Sequence, residues 1–184
     1  MMNKVIEILV SPYLLFSMAG IILVVNFLRR NNNFFDVRSI FTQQFAMFKN
    51  CKGQIIVFYI VPLILAIGIV RIRLIDKDII NNINIVLSIF VSMLFAMLSI
   101  LSGYEKNNNT QFSKVLDETN NTIIFETVLC IIILILSFIV LFINNFEYSI
   151  SLIIISLIIY YLMFTIILHI FIIIKRMKSL YDNK

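Results

Sequence analysis

Charged residues are scarce in this chain of 184 residues: only 14% are Asp, Glu, Lys or Arg, whereas 61% are hydrophobic. Soluble domains usually contain about 25% charged and 45–50% apolar residues. A small soluble domain has too large a surface for its volume to bury such an apolar excess. Together with a mean hydropathy of +1.01, the composition excludes a soluble globular protein. It predicts a single integral membrane domain, residues 1–184.

Histidine, cysteine, glycine and proline are also scarce, with one, two, four and two residues. A single histidine cannot supply a multi-histidine metal site, and the chain has neither a His-Glu-x-x-His motif nor a Gly-rich phosphate loop. Cys51 lies in a basic loop and Cys130 in an apolar segment, so we expect no disulfide framework. Few Gly or Pro residues interrupt the helices, which argues against a transporter. The sequence therefore predicts no enzyme, with no catalytic residue, no cofactor and no metal.

Long apolar segments account for most of the chain. A helix needs about 20 apolar residues to cross a bilayer, and five segments reach or approach that length: 8–28, 55–75, 83–101, 123–143 and 149–174. Asparagine pairs and triplets separate them, and amide side chains are costly in hydrocarbon and favour turns. The sequence thus predicts an all-α fold, a polytopic bundle of five transmembrane helices. In a four-span alternative, the first segment lies in or dips into the membrane surface.

Basic residues are distributed unevenly between the two sides of the predicted bundle. With five spans, eleven Lys and Arg fall on the side of the C-terminus and four on the other, and with four spans the distribution is twelve to three. Because basic loops are retained in the cytoplasm, both versions predict a cytoplasmic C-terminus. Ile, Phe, Asn and Lys, which AT-rich codons encode, are abundant and indicate a bacterial source. We therefore expect a multi-pass protein of the bacterial inner membrane.

Aromatic residues recur regularly between the first two predicted spans, in residues 34–50. Their intervals of three and four place them on one face of a helix, whereas most of the basic and polar residues lie elsewhere. The members of this face are Phe34, Val37, Phe41, Phe45 and Phe48. A Phe-rich basic helix beside a span is typical of an amphipathic helix that lies flat in the membrane surface. A helix that docks on a partner, or on a neighbouring part of the same chain, is the alternative.

Glu126 is an acid within the fourth predicted span, and an ionisable residue inside a membrane indicates a functional site by default. It lies about four residues, or roughly 6 Å, inside that span. The link near residues 144–149 is short, so the fourth and fifth spans should form an antiparallel hairpin. Counting from the link brings His169 to within about 4–5 Å of the same depth. Glu126 and His169 are therefore a candidate polar pair near the cytoplasmic face. Because Glu126 is shallow, the favoured interpretation is a hydrogen bond that fixes helix register, or two residues that reach the headgroups separately. A pair that binds or relays a proton is the alternative.

Two further sets of polar residues share a predicted position. Glu7 and Arg71 both fall at the outer membrane surface, where they form either a clamp between the first two spans or a solvated rim. Ser88, Ser92 and Ser99 lie at intervals of four and seven and therefore share one face of the third span. Such a serine face suits packing between helices or subunits. Lining a pore is the alternative.

In size, number of spans, basic cytoplasmic loops and lack of catalytic residues, the chain resembles the small multispanning membrane subunits of bacterial antiphage systems, such as the Kiwa system. It is also similar to the membrane accessory proteins encoded beside RNA-targeting CRISPR effectors. The resemblance implies an oligomeric inner-membrane sensor or effector that recruits a cytosolic protein or alters membrane permeability. An accessory or immunity subunit of a larger membrane complex or transporter is the alternative.

The partners that we expect follow from the same features. They are the lipid bilayer, further copies of the chain, and a cytosolic protein. The cytosolic protein would bind where polar and basic residues leave the membrane, at residues 31–54, residues 102–122 or the C-terminal tail. Direct binding of nucleic acid is not expected.

Overall fold

The computed structural model describes Met18, Ile22, Val25 and residues 37–48, 52–104, 110–142 and 150–182. The chain divides into two units, Met1–Gln43 and Gln44–Lys184. In the first unit the described residues are all helical. Near the end of this unit, the hydroxyl of Thr42 donates a hydrogen bond to the carbonyl oxygen of Ser39 at 2.9 Å. The second unit contains the long helices.

The continuously described ranges form five helices, α1 to α5. Helix α1 is Val37–Phe48, and α2 consists of three consecutive segments, Lys52–Ile55, Ile56–Ile60 and Val61–Ile72, of which the middle one is a π-helix. The remaining helices are α3 (Lys77–Ser102), α4 (Thr110–Phe142) and α5 (Ile150–Asp182).

Four of these helices are long and apolar enough to cross a membrane: Gly53–Ile72, Lys77–Ser102, Gln111–Phe142 and Ile150–Asp182. The described part of the chain is therefore all-helical and fits a membrane helix bundle, as predicted. The first predicted span, residues 8–28, lies outside the described residues except for Met18, Ile22 and Val25. The choice between five and four spans stays a prediction.

Two of the helices extend well beyond the predicted spans. Helix α4 begins at Thr110 rather than at residue 123, and α5 continues to Asp182 rather than ending at residue 174. The extensions carry polar residues, yet each buries part of one face: Leu116 and Thr119 are 6% and 0% exposed, and Leu180 is 1% exposed. Tertiary packing therefore keeps these extensions helical, although hydropathy alone predicts that the helices end with the apolar segments.

Helices α4 and α5 form the centre of the bundle. They pack against each other, while α3 packs on α4 and α2 packs on α5. Half of the residues in the most apolar part of α4 are buried, whereas only 11% of the residues in the corresponding part of α2 are buried. The outer faces of α2 and α3 are rich in exposed isoleucine, such as Ile64 and Ile85. Faces of this kind suit contact with acyl chains.

The turn between α2 and α3 ends in a helix cap. The carboxylate of Asp76 accepts a hydrogen bond from the backbone N–H of Ile79 at 2.8 Å, which satisfies a donor that the first turn of α3 would otherwise leave open. The guanidinium of Arg73 donates to the same carboxylate, with its Nε 3.1 Å away. Helix α3 therefore begins at Lys77, before the apolar segment predicted from residue 83.

The same turn is attached to α5. The backbone N–H of Ile75 donates to the hydroxyl oxygen of Ser156 at 3.2 Å, in a buried position. The hydroxyl of Tyr160 lies 3.4 Å from the carbonyl oxygen of Arg73. These two bonds join the α2–α3 turn to the first half of α5.

We expect Asp76→Ala to lower the free energy of unfolding by about 1 kcal/mol at neutral pH, the usual cost of losing an N-cap. The N–H of Ile79, followed by the guanidinium of Arg73, holds the pKa of the Asp76 carboxyl below its usual value. A lowered folded-state pKa means that the stabilisation is present above the pKa of the unfolded chain and is lost as the pH falls through the folded value. Thermal unfolding in detergent at pH 7 and pH 3 measures this: the two proteins should differ less at pH 3 than at pH 7.

Asp78→Ala is the matched control, because it removes an acid from the first turn of the same helix without removing the cap. Asp78→Ala should lower the free energy of unfolding by less than Asp76→Ala does. Equal losses in the two variants would show that charge at the helix N-terminus, and not the cap, provides the stabilisation.

Candidate functional site

The contact between α4 and α5 brings Glu126 and His169 together. Oε1 of Glu126 and Nδ1 of His169 are in hydrogen-bond contact, and both side chains are 0% exposed. These are the two residues that the sequence places at a similar depth in adjacent helices. The structure adds that neither reaches a lipid-facing or solvent-facing surface of the described bundle.

Helix periodicity explains why these two residues meet. Glu118, Thr122 and Glu126 recur at intervals of four on α4, and His169 and Arg176 are seven residues apart on α5; both spacings keep side chains on one face of a helix. Helices α4 and α5 run antiparallel, so these faces meet residue by residue. The result is a polar seam along the contact between α4 and α5.

Three aromatic rings surround His169. The ring centroids of Phe58 and Tyr59 both lie 5.5 Å from that of the imidazole, and that of Phe125 lies 6.0 Å away. Tyr59 meets the imidazole edge to face, at 77°. Rings at this range separate the pair from the surroundings and suit contact with a cation.

Phe58 and Tyr59 are neighbours in the chain, yet both reach His169, because they lie in the π-helical segment Ile56–Ile60. In that segment the N–H of Val61 donates to the carbonyl oxygen of Ile56, five residues earlier. Pro62 follows immediately and has no N–H to donate to the carbonyl of Phe58, which favours the wider turn. Single π-helical turns within α-helices are frequent at functional sites.

The second carboxyl oxygen of Glu126 determines what the pair can do. Oε2 is buried and has no hydrogen-bond partner among the described residues, and an ionised carboxylate in that position would be costly without a compensating charge. One proton held between the carboxyl and the imidazole keeps the pair neutral. Gain or loss of a proton leaves one net charge in a buried contact, where an uncompensated charge is costly.

Thr122 links the pair to the end of the bundle at which α2 begins and α5 ends. Its hydroxyl oxygen accepts from Nη1 of Arg176 at 3.0 Å and lies 3.3 Å from Oε1 of Gln44, which is 1% exposed. Arg176 also forms an ion pair with Glu118 at 3.4 Å, and both side chains are partly exposed. Polar contacts therefore extend from the partly exposed Arg176 to the helical turn preceding Glu126.

Sequence reasoning missed Gln44, Thr122 and Tyr59. The spacing of Glu118, Thr122 and Glu126 at intervals of four is a signal that could have identified Thr122. Pro62 is a signal for an irregular turn near Tyr59. Nothing in the local sequence indicates that Gln44 is buried, since it lies on the polar face of the predicted amphipathic helix.

The predicted membrane-surface helix coincides in part with α1, Val37–Phe48. Phe45 is 52% exposed, and its ring stacks on Tyr59 with centroids 5.4 Å apart. Phe41 is half-buried. The side chains of the other members of the face are not among those described: Phe34, Val37 and Phe48. That this helix lies in a membrane surface remains a hypothesis.

The serine face of α3 points away from the described helices. Ser88, Ser92 and Ser99 are all exposed. The hydroxyls of Ser88 and Ser92 donate to carbonyl oxygens of their own helix, those of Asn84 at 2.8 Å and Ser88 at 2.9 Å. This face is left for lipid or for another subunit, and neither the packing nor the pore interpretation is tested.

Only one of the two residues of the predicted clamp lies among the residues that the structure describes. Arg71 is exposed in the last turn of α2, and Glu7 lies outside the described residues. A contact between them therefore stays a prediction.

Within the described ranges, no group of three or more His, Cys, Asp or Glu side chains is placed to hold a metal ion. Comparison with protein-family models, with curated proteins and with solved structures found no match. The function of the chain must therefore be inferred from its own geometry.

Proposed function

We propose that this protein is a non-enzymatic membrane sensor in which the Glu126–His169 pair exchanges a proton and so changes the packing of α4 against α5. The observation that carries the proposal is the complete burial of both ionisable side chains in the contact between the two central helices. Such residues are rare in transmembrane segments and commonly mark proton or ion sites.

The energetic argument concerns charge in an apolar contact. Removing one partner from a buried ion pair typically costs about 3–5 kcal/mol, because the other charge is left uncompensated. Changing the protonation of the pair likewise leaves a charge uncompensated. Alternative packings of one bundle commonly differ by only a few kcal/mol. A single proton is therefore enough to favour one packing over another.

Few other titratable groups act on the pair. The Glu126 carboxyl interacts electrostatically with Tyr59 of α2 and with Cys130, one turn further along α4. The nearest charged residues along each of the neighbouring helices are Lys52 and Arg71 of α2, Lys77 and Asp78 of α3, Glu118 of α4, and Lys175 and Arg176 of α5. A pH response of the α4–α5 contact is therefore assigned to the pair and not to a more distant ion pair.

The proposal also covers the biological setting. The chain would act in a bacterial inner membrane with its C-terminus in the cytoplasm, as an oligomer within an antiphage system. A rearrangement at the pair would reach the basic tail through Thr122 and Arg176, which are hydrogen-bonded. A cytosolic partner would then bind at residues 31–54, at residues 102–122 or at the C-terminal tail, or the oligomer would change the permeability of the membrane.

A second proposal is an accessory or immunity subunit of a larger membrane complex or transporter. It is favoured by the low burial of α2 and α3, whose apolar segments are 11% and 17% buried, and by the outward-facing serines of α3. In this role the Glu126–His169 bond only fixes the register of α4 against α5.

Glu126→Gln separates the two proposals. In nanodiscs, hydrogen exchange of α4 and α5, corrected for the intrinsic pH dependence of exchange, should change between pH 5 and pH 8 in the wild type and be flat in the variant. Glu118→Gln, the same substitution two turns earlier in α4, is the control and should respond like the wild type. A wild type without a pH response, or a response that Glu126→Gln retains, would exclude the sensor and favour the accessory subunit.

A further inference from the structure

A groove of about 400 Å³ opens at the end of the bundle where α2 begins and α5 ends. We call it the basic groove. Its walls come from α2, α4 and α5, and the residues that matter here are Gln54, Phe58, Phe171, Ile172, Lys175 and Arg176. Its volume is within the usual range for small-ligand sites, roughly 300–1,000 Å³.

The basic groove combines two kinds of wall. Phe58, Phe171 and Ile172 provide an apolar wall, and one turn further along α5 Lys175 and Arg176 provide a cationic one. A ligand that fills both parts must itself be amphipathic, with an anionic group joined to a hydrocarbon chain.

The position of the basic groove along α5 agrees with such a ligand. Residues 150–174 contain no Asp, Glu, Lys or Arg, and Lys175, Arg176 and Lys178 follow at once. The first cluster of basic residues after an apolar segment marks the level at which a helix leaves the hydrocarbon. The groove therefore spans the level at which lipid phosphates and the upper parts of acyl chains lie.

Positive charge in the basic groove exceeds negative charge. Arg176 is paired with Glu118 at 3.4 Å, but both side chains are partly exposed, and ion pairs of this kind are weak. Lys175 is exposed and has no ion-pair partner within the described ranges. Glu118 also lines the groove, which thus carries a net charge of one positive unit from these three residues. Because Nη1 of Arg176 already donates to the carbonyl oxygen of Glu118 and to Thr122, the ammonium group of Lys175 and the other N–H groups of Arg176 are the donors that a phosphate would meet.

We propose that the basic groove binds an anionic glycerophospholipid. The phosphate lies between Lys175 and Arg176, and one acyl chain runs along Phe58, Phe171 and Ile172. Basic pockets between transmembrane helices bind lipid headgroups in this way. The proposal does not depend on whether Glu126 and His169 exchange a proton.

Lipid binding to the purified protein tests the proposal. Native mass spectrometry of the full chain in detergent, titrated with phosphatidylglycerol or with phosphatidylcholine of the same acyl chains, should show preferential retention of phosphatidylglycerol. Lys175→Gln should reduce that preference about fivefold, the factor expected for one basic residue at a lipid surface. Lys178→Gln is the matched control, because Lys178 is exposed on the same helix but does not line the groove.

The remaining outcomes distinguish a lipid from a soluble anion and from general surface charge. Excess inorganic phosphate should leave bound phosphatidylglycerol in place; displacement by phosphate would assign the groove to a soluble anion and overturn the proposal. Equal losses in Lys175→Gln and Lys178→Gln, or no lipid preference in the wild type, would also overturn it. Phe171→Ala should weaken retention of both lipids, and unchanged retention would contradict the assigned path of the acyl chain.

Discussion

Replacing His169 with alanine should lower the free energy of unfolding by about 3–5 kcal/mol. The substitution removes the partner of Glu126, whose side chain is fully buried and whose second oxygen already has no hydrogen-bond partner among the described residues. Reversible unfolding in mixed micelles, followed by the loss of helical circular dichroism, measures the change.

A double replacement, Glu126→Met with His169→Phe, is the control. It removes both ionisable groups and retains similar side-chain volume, and such replacements of buried pairs are often neutral or stabilising. The double variant should therefore recover most of the stability lost in His169→Ala. If it were as unstable as the single variant, the loss would come from packing and not from an uncompensated polar group.

Ser156→Ala should lower the free energy of unfolding by about 1–3 kcal/mol, which is less than the loss expected for His169→Ala. It leaves the backbone N–H of Ile75 without its acceptor, and Ile75 is 2% exposed, so water cannot replace the lost bond. The same unfolding measurement applies, and proteolysis at the α2–α3 turn should become faster in the variant.

Ser137→Ala provides the comparison for that prediction. Ser137 is also fully buried, but its hydroxyl has no hydrogen-bond partner in the described part of the chain. Its removal should be neutral or slightly stabilising. Similar losses in the two variants would attribute the cost to the cavity left by the side chain and not to the bond with Ile75.

The meeting of Glu126 with His169 was accessible to sequence reasoning because it depends on regular geometry. A short link forces two long helices to run antiparallel, and a fixed rise of about 1.5 Å per residue converts distance from the link into depth. The same counting indicates which residues of α4 and α5 lie level with one another. What it does not provide is the side of each helix that faces the partner, so the complete burial of the pair was not foreseen.

The burial of Gln44 shows why another feature was inaccessible. Gln44 is buried beside Thr122, which lies 78 positions further along the chain, and hydrophobic periodicity treats a glutamine as a surface residue. A tertiary contact, which no local pattern reports, determines this outcome. The early start of α4 is different: Phe112, Val115, Leu116 and Thr119 recur at helical spacing and predict that the fourth span projects beyond the membrane, and α4 begins at Thr110.

The π-helical turn puts the two parts of α2 out of phase. An α-helical residue advances about 100° around the axis, so the one extra residue in Ile56–Ile60 rotates the preceding part of α2 by about that angle relative to Val61–Ile72. Gln54 in the basic groove and Tyr59 beside His169 both owe their directions to this offset. Rewinding that single turn to α-helical pitch would rotate both side chains together, so the winding of α2 couples the groove to the buried pair.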